Sequence, residues 1–217
     1  MAIADGPGQR LPLLVVATTN PGKRAEFARL LASLPWKVAD LSLAGDGYVP
    51  PPEDGETYAD NARTKALAAA RASGRVALAD DSGLEVEALD GAPGVHSARY
   101  GGEGLDDGGR VRRLLEALSG VPASRRGAAF VAHLTVASPD GRVLAEVEVA
   151  VGGRIAFAPR GHGGFGYDPV FEPLGMGCTM AELAPAAKDL FSHRGRATQL
   201  LLPALRRLAL DVRAASA

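Results

Sequence analysis

Two adjacent carboxylates, Asp80 and Asp81, stand directly after a short apolar run and before Ser82 and Gly83. Carboxylate oxygens are ligands that Mg²⁺ prefers, and a carboxylate can also accept a proton from water. Open α/β sheets bind their ligands at the carboxyl ends of strands. The pattern therefore predicts a metal site or a general base at the end of a buried strand. An Asx-type turn leading into the next strand is the alternative.

A second polar stretch, Thr18 to Lys23, lies between an apolar run and a helical pattern. Backbone N–H groups at a helix N-terminus favour phosphate, and Lys23 adds a positive charge. The stretch is not a Walker A loop, because no glycine stands five residues before Gly22 and Arg24 replaces the Ser or Thr. We predict a phosphate contact here. The alternative is that Asn20 only caps the helix and leaves Lys23 in solvent.

Asn61 and Lys65 are four residues apart on the next predicted helix and therefore share one of its faces. Glu53, in the loop before that helix, offers a further oxygen ligand for a metal ion. The three side chains are candidates for one polar site. An ordinary solvated helix face and loop acid are the alternative.

Residues 161–166 match the string G-x-G-x-x-G of dinucleotide-binding loops. That reading needs a helix after the glycines, whereas residues 167–171 have the composition of a strand. We reject a dinucleotide site and predict that the glycines let Phe165 and Asp168 approach a ligand closely. A glycine-rich hairpin connection is the alternative.

Lys188 and the triplet Ser192, His193 and Arg194 form a basic cluster before the last predicted helix. Such a cluster could clamp a phosphate or the carbonyl of a base. The alternative is a plain helix N-terminus with Ser192 as its cap. No G-x-S-x-G motif surrounds Ser82, which argues against nucleophilic serine hydrolysis.

Apolar periodicity and turn residues predict the elements that must position these side chains. Strands are expected at 13–17, 36–43, 76–79, 84–88, 128–137 and 142–151, and helices at 27–34, 57–74, 111–118 and 197–208. Residues 138–141 should join the last two strands as a hairpin, and Pro203 should kink or break the last helix. This order predicts an α/β fold with a mixed sheet and a cleft between two lobes.

Composition limits the classes of protein that remain. The 217 residues carry a net charge of −1, which argues against a protein that coats nucleic acid but allows a small anionic ligand. The apolar run at 11–17 is too short for a membrane helix, and residues 1–10 do not resemble a signal peptide. We expect a flexible extension at 1–10, a single domain at 11–217, and a cytoplasmic protein without membrane or nucleic-acid partners.

The chain resembles the inosine/xanthosine triphosphate pyrophosphatase family in five stretches that follow the family's order. They are ATTNPGK at 17–23, ETYADNARTKA at 56–66, ALADDSGLEVEALDGAPGVHSARYGG at 77–102, GGFGYDPVF at 163–171, and 179–195, which contains TMAEL and SHRG. The resemblance implies an α/β fold with an elongated mixed β-sheet flanked by helices and an active-site cleft between two lobes. It also implies a homodimer that hydrolyses ITP, dITP, XTP and dXTP to the monophosphate and pyrophosphate.

The resemblance implies roles for individual residues as well. Asp81 would accept the proton of the attacking water and bind Mg²⁺, with Glu53 as the other metal-binding acid and Asp80 in support. The triphosphate would be contacted by Thr18, Thr19, Asn20, Pro21, Gly22, Lys23, Lys65 and Lys188. Ser82 would contact the nucleotide, and the base would be held by Phe165, Gly166, Tyr167, Asp168, His193 and Arg194.

Two other classes of function stay open at this point. A nucleotide pyrophosphatase for modified pyrimidines would share the α/β cleft, although the 192–194 cluster and the 163–168 loop favour the purine family. A nucleotide sensor without catalysis would keep the lysines and lose the acids. Both Asp80 and Asp81 are present, which favours an enzyme.

Overall fold

A computed structural model describes residues 11–102 and 104–215, and the predicted extension at 1–10 lies outside them. The strands found in this part are β1 (Leu13–Val16), β2 (Lys37–Ala39), β3 (Val76–Val86), β4 (Gly127–Ala137), β5 (Val143–Ile155) and β6 (Phe171–Pro173). The α-helices are α1 (Pro21–Leu30), α2 (Tyr58–Ser73), α3 (Asp107–Ala117), α4 (Pro185–Phe191) and α5 (His193–Ala215). None of them has both the length and the apolar character needed to cross a membrane.

The described strands form one mixed sheet in the order β2-β1-β3-β4-β5-β6. The strand β1 pairs in parallel with β2 and β3, whereas β3, β4, β5 and β6 pair with antiparallel neighbours along the sheet. The predicted mixed sheet and the hairpin of β4 and β5 are therefore confirmed. Predicted strand 36–43 is too long, because residues 41–44 form a 3-10 turn after β2.

The strand β3 is longer than the sequence patterns suggested. It runs unbroken through residues 80–83, so both the predicted strand end at residue 79 and the alternative turn are wrong. The reason is the pairing on its other side, because β4 continues the antiparallel ladder from Ala77 to Val86. Since β1 pairs only with residues 76–78 of β3, Asp80 and Asp81 lie beyond the end of β1.

Two main apolar clusters share this long sheet. One packs α1 and α5 against the parallel end, around Leu14, Phe27 and Leu201. The other surrounds the far half of β3, with Leu84 and Leu114 among its buried members. The lining of one cavity combines side chains from elements of both clusters. The predicted cleft between two lobes is confirmed.

Three helices, α1, α3 and α5, begin earlier than their apolar spacing indicated. In α1, Asn20 accepts a hydrogen bond of 3.0 Å from the backbone N–H of Lys23, so the cap is present and 21–23 form the first helical turn. In α5, Ser192 Oγ accepts from the N–H of Gly195 at 3.0 Å, which confirms Ser192 as a cap. The helix α5 also runs on through Pro203, so the predicted break is absent.

Gly83 packs closely against the 3-10 turn at Gly94–Arg99. A Cβ at position 83 would lie 2.3 Å from the carbonyl oxygen of Gly94 and 2.7 Å from Ser97 Oγ. Gly83→Ala is therefore expected to lower the free energy of unfolding by about 1–3 kcal/mol through overpacking. Denaturant titration followed by circular dichroism measures this change.

Gly108→Ala is the matched control, because its nearest neighbour would be Arg112 Nη1 at 3.4 Å. Alanine favours a helix over glycine, so this variant should be unchanged or more stable by up to about 1 kcal/mol. Equal stability of the two variants would contradict the packing assigned to Gly83.

Candidate active site

Asp80 lies at the centre of a buried group of charges, with 1% of its surface exposed. Its Oδ2 accepts from Lys23 Nζ at 2.8 Å and from Arg194 Nη2 at 2.8 Å. Burial by itself would raise the pKa of Asp80, but Arg194 and Lys23 outweigh it and hold that pKa well below its usual range. Asp80 is thus an ionised anchor that ties α1 and α5 to β3. The solvent-exposed alternative for Lys23 is wrong.

The same group of charges continues through Glu26, which the sequence analysis missed. Glu26 accepts from Arg194 Nη1 at 2.6 Å and from Lys188 Nζ at 2.7 Å. Lys188 also bonds Asp168, whose Oδ2 in turn accepts from the N–H of Phe165 at 2.8 Å. Spacing could have pointed to Glu26, because it follows Lys23 by three residues and so shares its helix face.

A second group of charges surrounds the ammonium of Lys65. Its Nζ lies 2.6 Å from Glu53 Oε1, 2.8 Å from Asp81 Oδ1 and 2.8 Å from the backbone oxygen of Asp80. Asn61 Nδ2 donates to the other oxygen of Asp81 at 3.1 Å. The structure therefore brings the predicted Asn61, Lys65 and Glu53 together beside Asp81. The alternative of a solvated helix face is wrong.

The two neighbouring aspartates differ in proton affinity. Consecutive residues of a strand face opposite sides of the sheet, which separates Asp81 from the Lys23 and Arg194 pair of Asp80. Burial raises the pKa of Asp81, and Lys65 offsets this only in part. Of the two carboxylates, Asp81 is therefore the one suited to accept a proton.

A cavity between the two clusters collects most of the remaining predicted residues. Those that line it are Asn20, Lys23, Ser82, Phe165, Gly166, Tyr167, Asp168, Lys188, His193 and Arg194. Further lining residues, which the sequence analysis did not single out, include Ser97, Asp107, Arg110 and Phe130. Thr18, Thr19 and Pro21 are not among the lining residues and lie where β1 leads into α1.

Aromatic rings and cations face one another in this cavity. Lys188 Nζ lies 4.7 Å and Arg194 Cζ 5.5 Å from the centroid of the Phe165 ring. The ring is packed so closely on α1 that a Cβ at Gly22 would lie 2.4 Å from Phe165 Cδ1. The cavity therefore combines an aromatic ring with cations that can donate hydrogen bonds, which suits a planar polar ligand.

His193 adds a second ring to the cavity. It stacks on Phe130 with centroids 4.6 Å apart and an angle of 16° between the planes. Burial and the nearby Arg194 lower the pKa of His193 well below its usual value, so the imidazole is neutral. Its Nδ1 is buried and has no hydrogen-bond partner among the described residues.

The glycine-rich loop is the connection between the antiparallel strands β5 and β6. The helix that a dinucleotide-binding loop requires does not follow the glycines, and residues 156–170 instead join two antiparallel strands, as the hairpin alternative predicted. Asp107, at the start of α3, accepts from the N–H of Gly166 at 2.7 Å. This bond fixes the loop that carries Phe165 against the second lobe.

Comparison with known proteins places the chain in a family. The model of the Ham1 family matches residues 14–204. A protein of Mycobacterium bovis named dITP/XTP pyrophosphatase is 50% identical over 200 residues, which cover 90% of this chain and 96% of the relative. A protein of Gloeobacter violaceus with the same name is 51% identical over 189 residues, covering 87% and 92%.

Solved structures agree with this result. A HAM1 protein from Coxiella burnetii superposes with a TM-score of 0.79 at 38% identity, covering 91% of this chain and all of the other. A structure from Mycobacterium abscessus, described as nucleoside-triphosphatase / dITP/XTP pyrophosphatase, gives 0.70 at 44% identity, covering 88% and 99%. The resemblance drawn from the five sequence stretches is confirmed, and the chain belongs to the Ham1 family.

Proposed function

We propose that this chain hydrolyses non-standard purine nucleoside triphosphates, namely ITP, dITP, XTP and dXTP, to the monophosphate and pyrophosphate. The names of its relatives support this reaction. The observation that carries the proposal is the position of Asp81, a buried carboxylate of raised pKa held by Lys65. Its neighbour Asp80 forms ion pairs with Lys23 and Arg194, and both of these side chains line the aromatic cavity. The substrates would come from the cytoplasmic nucleotide pool.

The cavity would hold the base and the lysines would hold the phosphates. The purine would lie against Phe165, where Arg194 can only donate hydrogen bonds and therefore favours a 6-carbonyl over a 6-amino group. Lys23, the first turn of α1 and Lys188 would bind the phosphate chain, which carries about four negative charges. Ser82, which lines the same cavity, would contact the nucleotide between these two regions.

The carboxylate oxygens around Lys65 are suitable ligands for Mg²⁺. Among residues 11–102 and 104–215, no three His, Cys, Asp or Glu side chains could hold a metal ion by themselves. Magnesium, however, is commonly bound by one or two carboxylates together with substrate phosphates. Glu53 and Asp81 supply two carboxylates that converge on one point. Asp80 would support the site indirectly, because its Oδ2 is engaged by Lys23 and Arg194.

In the proposed reaction Asp81 accepts a proton from the water that attacks the α-phosphorus. The oxygen of that water forms the new bond to phosphorus, and the bond to the bridging oxygen breaks, which releases pyrophosphate. Bound Mg²⁺ would neutralise negative charge that grows on the phosphate oxygens. Lys23 and Lys188 would stabilise the same charge from fixed positions, which needs no reorganisation during the reaction.

The products and the choice of base test this function. Pyrophosphate, and not orthophosphate, should be the primary product, and chelation of metal by EDTA should abolish its release. The kcat/KM for ITP and XTP should exceed that for ATP by roughly 10⁴-fold, because a 6-amino group offers hydrogens where the pocket also offers hydrogens, whereas a 6-carbonyl can accept a bond there. Coupled assays of both anions measure these values. Cleavage of ATP within tenfold of ITP would contradict the assignment of the base pocket.

Asp81→Asn should keep the fold and lose turnover. The substitution is nearly isosteric but removes the base, which typically costs about 10²–10⁴-fold in rate. Steady-state kinetics with ITP measure the loss, and more than half of the wild-type kcat would exclude Asp81 as the base.

Asp80→Asn is the matched control for that variant. It leaves Lys23 without its carboxylate partner and Arg194 with Glu26 alone, which should destabilise the fold by about 3–5 kcal/mol. The two neighbouring substitutions should thus differ in stability, because Asp81→Asn should lose turnover in a stable fold whereas Asp80→Asn should lower the stability itself. Thermal unfolding followed by circular dichroism supplies the comparison.

We also propose that the protein is a homodimer, as the family resemblance implies. Symmetric pairs are the commonest oligomers of soluble proteins. Light scattering at micromolar concentration should give twice the mass of one chain, and a monomeric mass there would refute the dimer.

A further inference from the structure

Lys65 has no hydrogen-bond donor left for a substrate in this structure. An ammonium group offers three N–H donors and no acceptor. All three have acceptors in the chain, namely Glu53 Oε1, Asp81 Oδ1 and the backbone oxygen of Asp80. The side chain is also only 10% exposed, so water does not compete strongly for these bonds.

The position of this ammonium is also the position that a divalent cation would need. Glu53 and Asp81 reach the same Nζ from a loop and from β3, at 2.6 Å and 2.8 Å. Magnesium binds carboxylate oxygens at still shorter distances, about 2.0–2.1 Å. An ion between the same two oxygens would therefore overlap the ammonium and be repelled by its charge. The metal and the ammonium exclude each other.

We propose that Lys65 is the resident cation of the Glu53 and Asp81 pair in the nucleotide-free protein, and that it competes there with Mg²⁺. The bound triphosphate would draw the ammonium onto its phosphate oxygens and so open the two carboxylates to the metal. This second step rests on the proposed function. The first step concerns the free protein and does not depend on it.

The two carboxylates need a neighbouring cation in the free protein as well as in the complex with substrate. Without a cation, Glu53 and Asp81 would be two partly buried carboxylates side by side, and such a pair repels strongly. Lys65 removes that repulsion in the free protein, where it lowers the pKa of Glu53 against the effect of burial. It also occupies one oxygen of Asp81, so the proposed base is covered until substrate arrives.

The affinity of the nucleotide-free protein for Mn²⁺ tests this competition without any activity measurement. The wild type, Lys65→Met and Lys65→Gln are each titrated with Mn²⁺, and electron paramagnetic resonance measures the concentration of free Mn²⁺. Both variants should bind Mn²⁺ roughly tenfold more tightly or better, because they remove the competing charge from the ligands. Circular dichroism confirms that each variant is folded before titration.

Two other lysines of the chain supply the controls. Lys37 is exposed on β2, and Lys37→Met should leave Mn²⁺ affinity unchanged. Lys23 also lowers the pKa of Glu53 and Asp81 through space but bonds Asp80 instead. Lys23→Met should therefore tighten Mn²⁺ binding clearly less than the variants of Lys65 do.

Three results would overturn the proposal. They are variants of Lys65 that bind Mn²⁺ no more tightly than the wild type, an equal effect of Lys23→Met, and micromolar Mn²⁺ binding by the nucleotide-free wild type. The Mn²⁺ affinity of the nucleotide-free wild type tests the proposal even if neither variant of Lys65 folds. Micromolar binding contradicts the proposal, and millimolar binding supports it. Absence of pyrophosphate release would refute the proposed function alone, because these titrations contain no nucleotide.

Discussion

The pairing of the buried Asp80 carboxylate with Lys23 and Arg194 is the interaction on which the rest of the site depends. An ionised carboxylate is costly to bury unless charged partners surround it, so α1, β3 and α5 must meet at this point. Arg194 extends the same network to Glu26, and Glu26 extends it to Lys188. The same ion pairs therefore hold α1, β3 and α5 together and position the charged side chains that line the cavity.

Because β3 is pleated, the neighbouring residues Asp80 and Asp81 face opposite sides of the sheet and have different roles. Asp80 faces the cations of α1 and α5 and is held ionised, whereas Asp81 faces α2 and has a raised pKa. One residue can thus stabilise the site while the next exchanges a proton. The division works only because β3 continues past the end of β1, which leaves both carboxylates free of a parallel neighbour within the described residues.

Much of the site could be predicted because its residues lie in short polar stretches bounded by apolar runs. Asn20, Lys23, Ser82 and Phe165 stand in such stretches, and all four line the cavity. Glu26 was missed because a single acid on an otherwise polar helix face looks solvated. The length of β3 was missed as well, since two aspartates, a serine and a glycine usually interrupt a strand, and only the ladder with β4 holds them extended.

The sequence by itself determined the family, the mixed α/β sheet and many of the side chains that line the cavity, because local periodicity and motif order carry that information. Only the tertiary structure decided which charges neutralise which. Lys65 has the same local pattern as a solvated helical lysine, yet folding places Glu53 and Asp81 around it. Long-range ion pairs join residues far apart in the chain, and the choice of partner follows from burial and distance, which no local pattern encodes.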